Sequence, residues 1–281
     1  MHLSYLMAIF LGLVQGIAEF LPISSSGHLS LLQNFFGVEN IENENVFFSV
    51  LLHLGTLISV CIVYRKDIVE MLREFCTGVG ALFSPKLRTK EPSSARRLVM
   101  MVILGTLPLL VIMPIKNVVE ELYSNTIFIG LALIITGFVL YLSDQLARGK
   151  KTERSMTIKD ALLIGCGQAI AVVPGLSRSG STISVGMMCG LKRSFAVRFS
   201  FLLSLPAVLG ANILSLADAA KAGINTAMLP KYLLGMIVAG VAGYFAIHLV
   251  KLLARKGKFG NFAWYCWIVG FLAIIATFVL H

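Results

Sequence analysis

Charge is the scarcest ingredient of this sequence. Of its 281 residues only 14% are Asp, Glu, Lys or Arg, while 57% are hydrophobic; a soluble domain carries about 25% charged residues. That shortfall excludes a soluble domain and predicts an integral membrane protein. Cysteine is sparse and unpatterned. Cys61, Cys76, Cys166, Cys189 and Cys266 lie mostly in apolar runs with no CxxC spacing, which argues against a disulfide framework or a metal site and for small buried hydrophobes. A basic n-region is missing too: Met1 to Val14 leads straight into a polar cluster, so no signal peptide is expected. The net charge is +10. In a membrane protein this reads as basic cytoplasmic loops, and no nucleic acid partner is expected.

Long apolar runs are what the chain has in plenty. A spanning helix needs about 20 mostly apolar residues, and six segments qualify, at about 46–64, 98–115, 126–145, 199–217, 231–250 and 262–280. Two further apolar regions, about 3–36 and 158–190, are broken in the middle by Pro, Gly and Ser. Their pieces are too short to cross a bilayer reliably, so each reads as a re-entrant helix–loop–helix hairpin. The basic residues cluster in four loops: Arg65–Arg97, Arg148–Lys159, Lys192–Arg198 and Lys251–Lys258. The positive-inside rule makes these cytoplasmic. The acidic loop around Glu39, Glu42 and Glu44 then lies outside, and both termini come out extracytoplasmic. Segment 66–83 reads as an amphipathic cytoplasmic helix and 84–97 as a solvated loop.

The broken regions are related. Sliding the sequence by 153 residues pairs Gly12 with Gly165, Gln15 with Gln168, Ile17 with Ile170, Ala18 with Ala171, Ser24 with Ser177, Ser26 with Ser179 and Gly27 with Gly180. Each half is a hairpin followed by three spans, an odd number, so the halves sit upside down relative to each other. The fold class expected is therefore an all-α membrane protein with an inverted-topology repeat. The first repeat covers 1–147 and the second 155–281 of a single membrane domain, and a site is expected where the broken helices meet.

Chemistry concentrates at the two breaks. In "QGIAEFLPISSSGH", Gln15 and Glu19 are four apart and share a helical face, with Glu19 aimed at the loop holding Ser24, Ser25, Ser26, Gly27 and His28. A carboxylate there can bind a divalent cation, orient a histidine or act as a base. His28 can exchange a proton or attack phosphorus, and a serine can attack if a base is in reach. In "PGLSRSGST", Ser177, Ser179, Gly180 and Thr182 open a helix whose free N–H groups suit phosphate. Arg178 adds a forked, permanent charge. An arginine at membrane depth is by default functional, although pairing with Glu19 alone is the plainer alternative. His53 and His248 lie on spanning helices, where lining a cavity or packing suits them better than catalysis; His2 and His281 are terminal.

These two motifs, with "LLHLGTL" at 51–57 and the glycine-rich span at 235–243, resemble the bacterial undecaprenyl-diphosphate phosphatases of the bacitracin-resistance type over essentially the whole chain. The resemblance implies hydrolysis of a C55 isoprenyl diphosphate lipid to its monophosphate. That step recycles the carrier for peptidoglycan synthesis and confers bacitracin resistance, in the inner membrane, with the site open to the periplasmic side. It implies a divalent cation, Mg2+ or Ca2+, with Glu19 as a ligand, and catalytic roles for Glu19, Ser25, His28 and Arg178. Gln15 stands where many members have Glu, which removes one possible metal ligand. Phosphate-binding roles fall to Gln15, Ser24, Ser26, Gly27, Gln168, Ser177, Ser179, Gly180 and Thr182. Serine and histidine both remain open as nucleophile, and a homodimer is left open. The PAP2 acid phosphatases share Ser–Gly–His and Ser–Arg fragments but need a histidine soon after the arginine; the next after Arg178 is His248. The alternative from another class is a lipid-phosphate flippase or secondary transporter on the same repeat.

Overall fold

A computed structural model describes residues 3–36, 46–83, 93–222 and 225–280. The acidic loop around Glu39, Glu42 and Glu44, most of the loop expected at 84–97, and His2 and His281 lie outside them. Eleven main helices carry the described chain: α1 (Tyr5–Phe20), α2 (Ser25–Phe36), α3 (Val46–Val63), α4 (Arg65–Phe83), α5 (Ser94–Thr106), α6 (Thr126–Leu146), α7 (Ile158–Ile170), α8 (Arg178–Met188), α9 (Arg193–Ala222), α10 (Leu229–Arg255) and α11 (Phe262–Leu280). Short helical turns at Leu109–Ile112 and Lys116–Glu121 follow α5. Among the described residues, six helices are long and apolar enough to cross a membrane: α3, α5 with the turn after it, α6, α9, α10 and α11.

Local chemistry sets the boundaries. Ser4 caps α1 by accepting the Met7 N–H. The helix ends at Phe20 because Leu21 precedes Pro22 and is driven to an extended conformation, ψ 142°. At the second break, Pro174 and then Gly175, with φ +88°, separate α7 from α8; glycine takes that left-handed backbone without the strain a side chain would add. Residues 94–97, expected in a loop, instead form the first turn of α5, because the Ser93 side chain accepts the Arg96 N–H and starts the helix there. Helix α9 begins six residues before the apolar span, its entry held by ion pairs from Arg193 and Arg198.

Small residues let the helices touch backbone to backbone. A Cβ on Gly12 would lie 2.6 Å from the Gly235 carbonyl oxygen, and one on Gly165 would lie 2.3 Å from that of Gly105. Thus α1 seats on α10 and α7 seats on α5. Replacing Gly165 by alanine must push α7 off α5 and is expected to destabilise the protein by about 1–3 kcal/mol, read as a lower thermal unfolding midpoint in detergent. The main core runs through Phe20, Leu98, Leu140, Ile164, Phe199 and Phe201, with a second cluster around Leu11, Phe48, Leu52 and Tyr232.

One end of the bundle gathers the charged loops. Arg198 pairs with Asp67 and Glu153, Arg193 with Asp144, and Arg96 with Glu74, while Asp144 also accepts the Gly260 N–H. Lys151 meets both the start of α7 and the end of α8: its Nζ lies 2.9 Å from each Asp160 oxygen, and its backbone bonds to Gly190 and Lys192. Asp160 completes a capping box with Thr157. Burial pushes the Asp160 pKa up, but the Thr157 N–H and hydroxyl and the Lys151 ammonium outweigh it and hold the carboxyl below the usual range. Its charged form therefore stabilises the fold above the unfolded pKa, and the contribution is lost as pH falls through the folded value. Asp160→Asn is expected to unfold at a lower temperature than wild type at neutral pH, and the two melting curves are expected to converge in acid.

Candidate active site

The two helix breaks meet deep in the bundle. Phe20, at the end of α1, lies against Gly243 near the middle of the 27-residue α10. On the other side, Thr136, midway along the 21-residue α6, donates to the Gly175 carbonyl and accepts the Ser177 N–H. The tips touch directly. A Cβ on Gly27 would lie 3.0 Å from the Gly175 Cα, one on Gly180 would lie 3.3 Å from Pro22, and the Ser179 hydroxyl donates to the Leu21 carbonyl at 3.3 Å.

Each tip is built alike. Ser24 accepts the Gly27 N–H at 3.2 Å and Ser177 accepts the Gly180 N–H at 3.1 Å, so each serine caps the helix that follows. The Ser24 and Ser26 hydroxyls are 3.3 Å apart, as are those of Ser177 and Ser179.

Glu19 is the hub of the site. Its carboxylate accepts from the Ser25 hydroxyl at 2.8 Å, from Gln15 Nε2 at 3.1 Å, and from the Arg178 guanidinium. His53 Nε2 stands 4.0 Å away. The Glu19 side chain is only 6% exposed, whereas that of Arg178 is 27% exposed. The carboxylate is thus sealed in and the guanidinium is the partner an incoming anion can reach. At this depth an unpaired charge would be costly, so the pair also neutralises itself.

His28 sits apart from that hub. Its Nδ1 lies 2.8 Å from the Ser24 carbonyl and its Nε2 lies 2.8 Å from the Tyr265 hydroxyl on α11. Thr182 is buried with its hydroxyl on Ser200 and on the Arg178 carbonyl, so it steadies the backbone beneath the arginine. Gln168 is 1% exposed, and both its amide oxygen and nitrogen are buried without a partner. The structure therefore brings together Gln15, Glu19, Ser25 and Arg178, and interlocks Gly27, Ser179 and Gly180 behind them. It joins neither His28 nor Gln168 to the hub by a hydrogen bond. Two residues of the site escaped the sequence reading. His53 stands in "LLHLGTL" on a spanning helix, where lining a cavity or packing is the expectation; Tyr265 carries no signal at all within an aromatic run.

Among the described residues no cluster of three or more His, Cys, Asp or Glu could hold a metal ion. Gln15 Oε1, however, is buried without a partner beside the Glu19 carboxylate. One carboxylate and one orphaned amide oxygen are donors of the kind a hard cation takes.

Over residues 8–272 the chain matches the model of the family described as bacitracin resistance protein BacA. It is similar to the undecaprenyl-diphosphatase of Methanosphaera stadtmanae, 38% identical over 285 residues that span 99% of this chain and 100% of the relative. It is 41% identical to that of Desulforapulum autotrophicum over 277 residues, 96% of this chain and 98% of the relative. Undecaprenyl-diphosphatase 1 of Shouchella clausii is 38% identical over 275 residues, 97% of this chain and 96% of the relative.

Proposed function

The chain belongs to the bacitracin resistance protein BacA family, and we propose on that premise that it hydrolyses undecaprenyl diphosphate to undecaprenyl phosphate and inorganic phosphate. It is a membrane hydrolase of a lipid phosphoanhydride. The observation that carries the reading is the Glu19 carboxylate, which holds a serine hydroxyl on one side and an arginine on the other.

In the reaction we assign, the terminal phosphate draws the Arg178 fork away from Glu19, and the guanidinium with the N–H groups at the start of α8 binds the phosphate oxygens. The Ser25 oxygen attacks the terminal phosphorus while its proton passes to Glu19. The bond to the bridging oxygen breaks, and the lipid leaves as its monophosphate. Water then attacks the phosphoserine. His28 receives the proton of that water, and Glu19 returns the first proton to Ser25. What supports serine over histidine as nucleophile is that Ser25 already donates to a buried carboxylate, while both histidine nitrogens are engaged elsewhere. Glu19 and Gln15 Oε1 would hold the divalent cation, whose chemistry is to neutralise charge building on the diphosphate.

The same proposal includes the architecture. Two re-entrant hairpins, α1–α2 and α7–α8, begin an inverted repeat. Supporting it are the matched Gly12–Gly235 and Gly165–Gly105 contacts, the twin serine caps, and the return of α8 to Lys151 where α7 began. Three of the four basic loops, joined at one end by the ion pairs of Arg198, and Gly260 just after the fourth, held by the same Asp144 that pairs with Arg193, support a cytoplasmic assignment for that end under the positive-inside rule. The first hairpin then enters from the periplasmic side of the inner membrane, both termini lie on that side, and the site opens toward it.

The test is phosphate release from undecaprenyl diphosphate by purified protein in detergent, with and without a chelator. Turnover suppressed by the chelator and restored by Mg2+ or Ca2+ is expected. Absence of turnover would sink the reading and leave a transporter, which needs a sealed vesicle to act.

A further inference from the structure

We propose that Tyr265 is a proton relay to His28, an inference that rests on the phosphatase reading above. The Ser24 carbonyl lies 2.8 Å from His28 Nδ1. A carbonyl oxygen can only accept, so in the neutral ring the proton sits on Nδ1 and the lone pair on Nε2. That lone pair is capped by the Tyr265 hydroxyl at 2.8 Å. In this arrangement His28 has one way to take up a proton, which is through the tyrosine. The Tyr265 Oη–H bond breaks as its proton passes to Nε2, and the same oxygen gains a proton from the attacking water, whose oxygen forms the new bond to phosphorus. Tyrosine ends as it began, histidine ends as imidazolium, and the imidazolium N–H then donates to the Tyr265 oxygen. A hydrogen bond to the charged ring is stronger than one to the neutral ring, which favours the transfer.

The surroundings are built for this contact. Ser24 has φ +70°, a left-handed conformation that is strained for a non-glycine residue and that persists where neighbouring structure imposes it. The Ser24 carbonyl receives both the backbone N–H and the Nδ1–H of His28. The tyrosine is fixed equally well. Its ring stacks on His28 with planes 11° apart and centroids at 5.6 Å. The two residues after it anchor α11 on either side, Cys266 Sγ to the Pro22 carbonyl at 3.6 Å and Trp267 Nε1 to the Ile134 carbonyl at 3.2 Å. Tyr265 is 42% exposed and His28 is only partly buried, so the hydroxyl is the more open member of the pair.

Tyr265→Phe keeps the stacked ring and removes only the hydroxyl. In the phosphate-release assay, kcat should fall by about 10²-fold, as for His28→Ala, with KM within about twofold of wild type. The double variant should be no slower than the slower single one, because both lie on one proton path. Independent, multiplying losses would overturn the relay, as would a Tyr265→Phe enzyme as fast as wild type. A wild type without turnover would instead sink the phosphatase reading itself. A second measurement needs neither turnover nor a folded variant at position 265. 15N spectra of histidine-labelled wild type, assigned with His28→Gln, should show a neutral His28 protonated on Nδ1. A ring protonated on Nε2 would overturn the proposal.

Discussion

Arg178→Ala is expected to slow phosphate release by about 10²- to 10³-fold, the loss seen when a preorganised donor to a developing negative charge is removed. The argument starts from exposure. The guanidinium is 27% exposed while its carboxylate partner is sealed, so an arriving diphosphate competes with Glu19 for the same fork. A side chain that merely balanced Glu19 would show a different pattern: its loss would lower stability and leave turnover of the surviving folded fraction intact. Arg178→Lys separates charge from shape. Lysine restores the ion pair and the melting temperature, but as a point charge it cannot hold two phosphate oxygens at once, so it should recover only part of the rate. If Arg178→Ala releases phosphate at near wild-type kcat, the catalytic role assigned to it is wrong.

How much of this could be read from the chain alone differs by element. The six apolar helices were legible because each is a long run with few charges, and the breaks were legible because Pro22 and the Pro174–Gly175 pair interrupt such runs. The start of α5 was not, since one serine hydroxyl on one N–H decides it. At the site, the four-residue spacing of Gln15 and Glu19 anticipated that they share a face, and "SRSG" stood out because an arginine there is expensive. The position of His28 was hidden. Ser25 and His28 are three apart on α2, yet the serine turns to Glu19 while the imidazole folds back onto the Ser24 carbonyl. Tyr265 was hidden more deeply, because its partner lies 237 residues away in sequence and only the assembled bundle joins them.

Glu19→Gln is the other large effect expected, a fall of about 10²- to 10⁴-fold in kcat from loss of the general base. It also carries a stability cost that must be separated from catalysis. The carboxylate accepts from Ser25, Gln15 and Arg178 together; an amide offers one acceptor oxygen and turns an N–H₂ toward groups that are themselves donors. Arg178 is then left as an unpaired charge deep in the bundle, where breaking a buried pair costs about 3–5 kcal/mol. Adding Arg178→Gln removes that charge, so the double variant should melt closer to wild type than Glu19→Gln does while remaining inactive. Ser25→Ala completes the set. It deletes the nucleophile without altering the ion pair, so activity should be lost at a stability cost of only about 1 kcal/mol. Were Ser25→Ala to retain wild-type kcat while Glu19→Gln lost it, the carboxylate would be activating something other than this serine, and the attack would have to be reassigned to water.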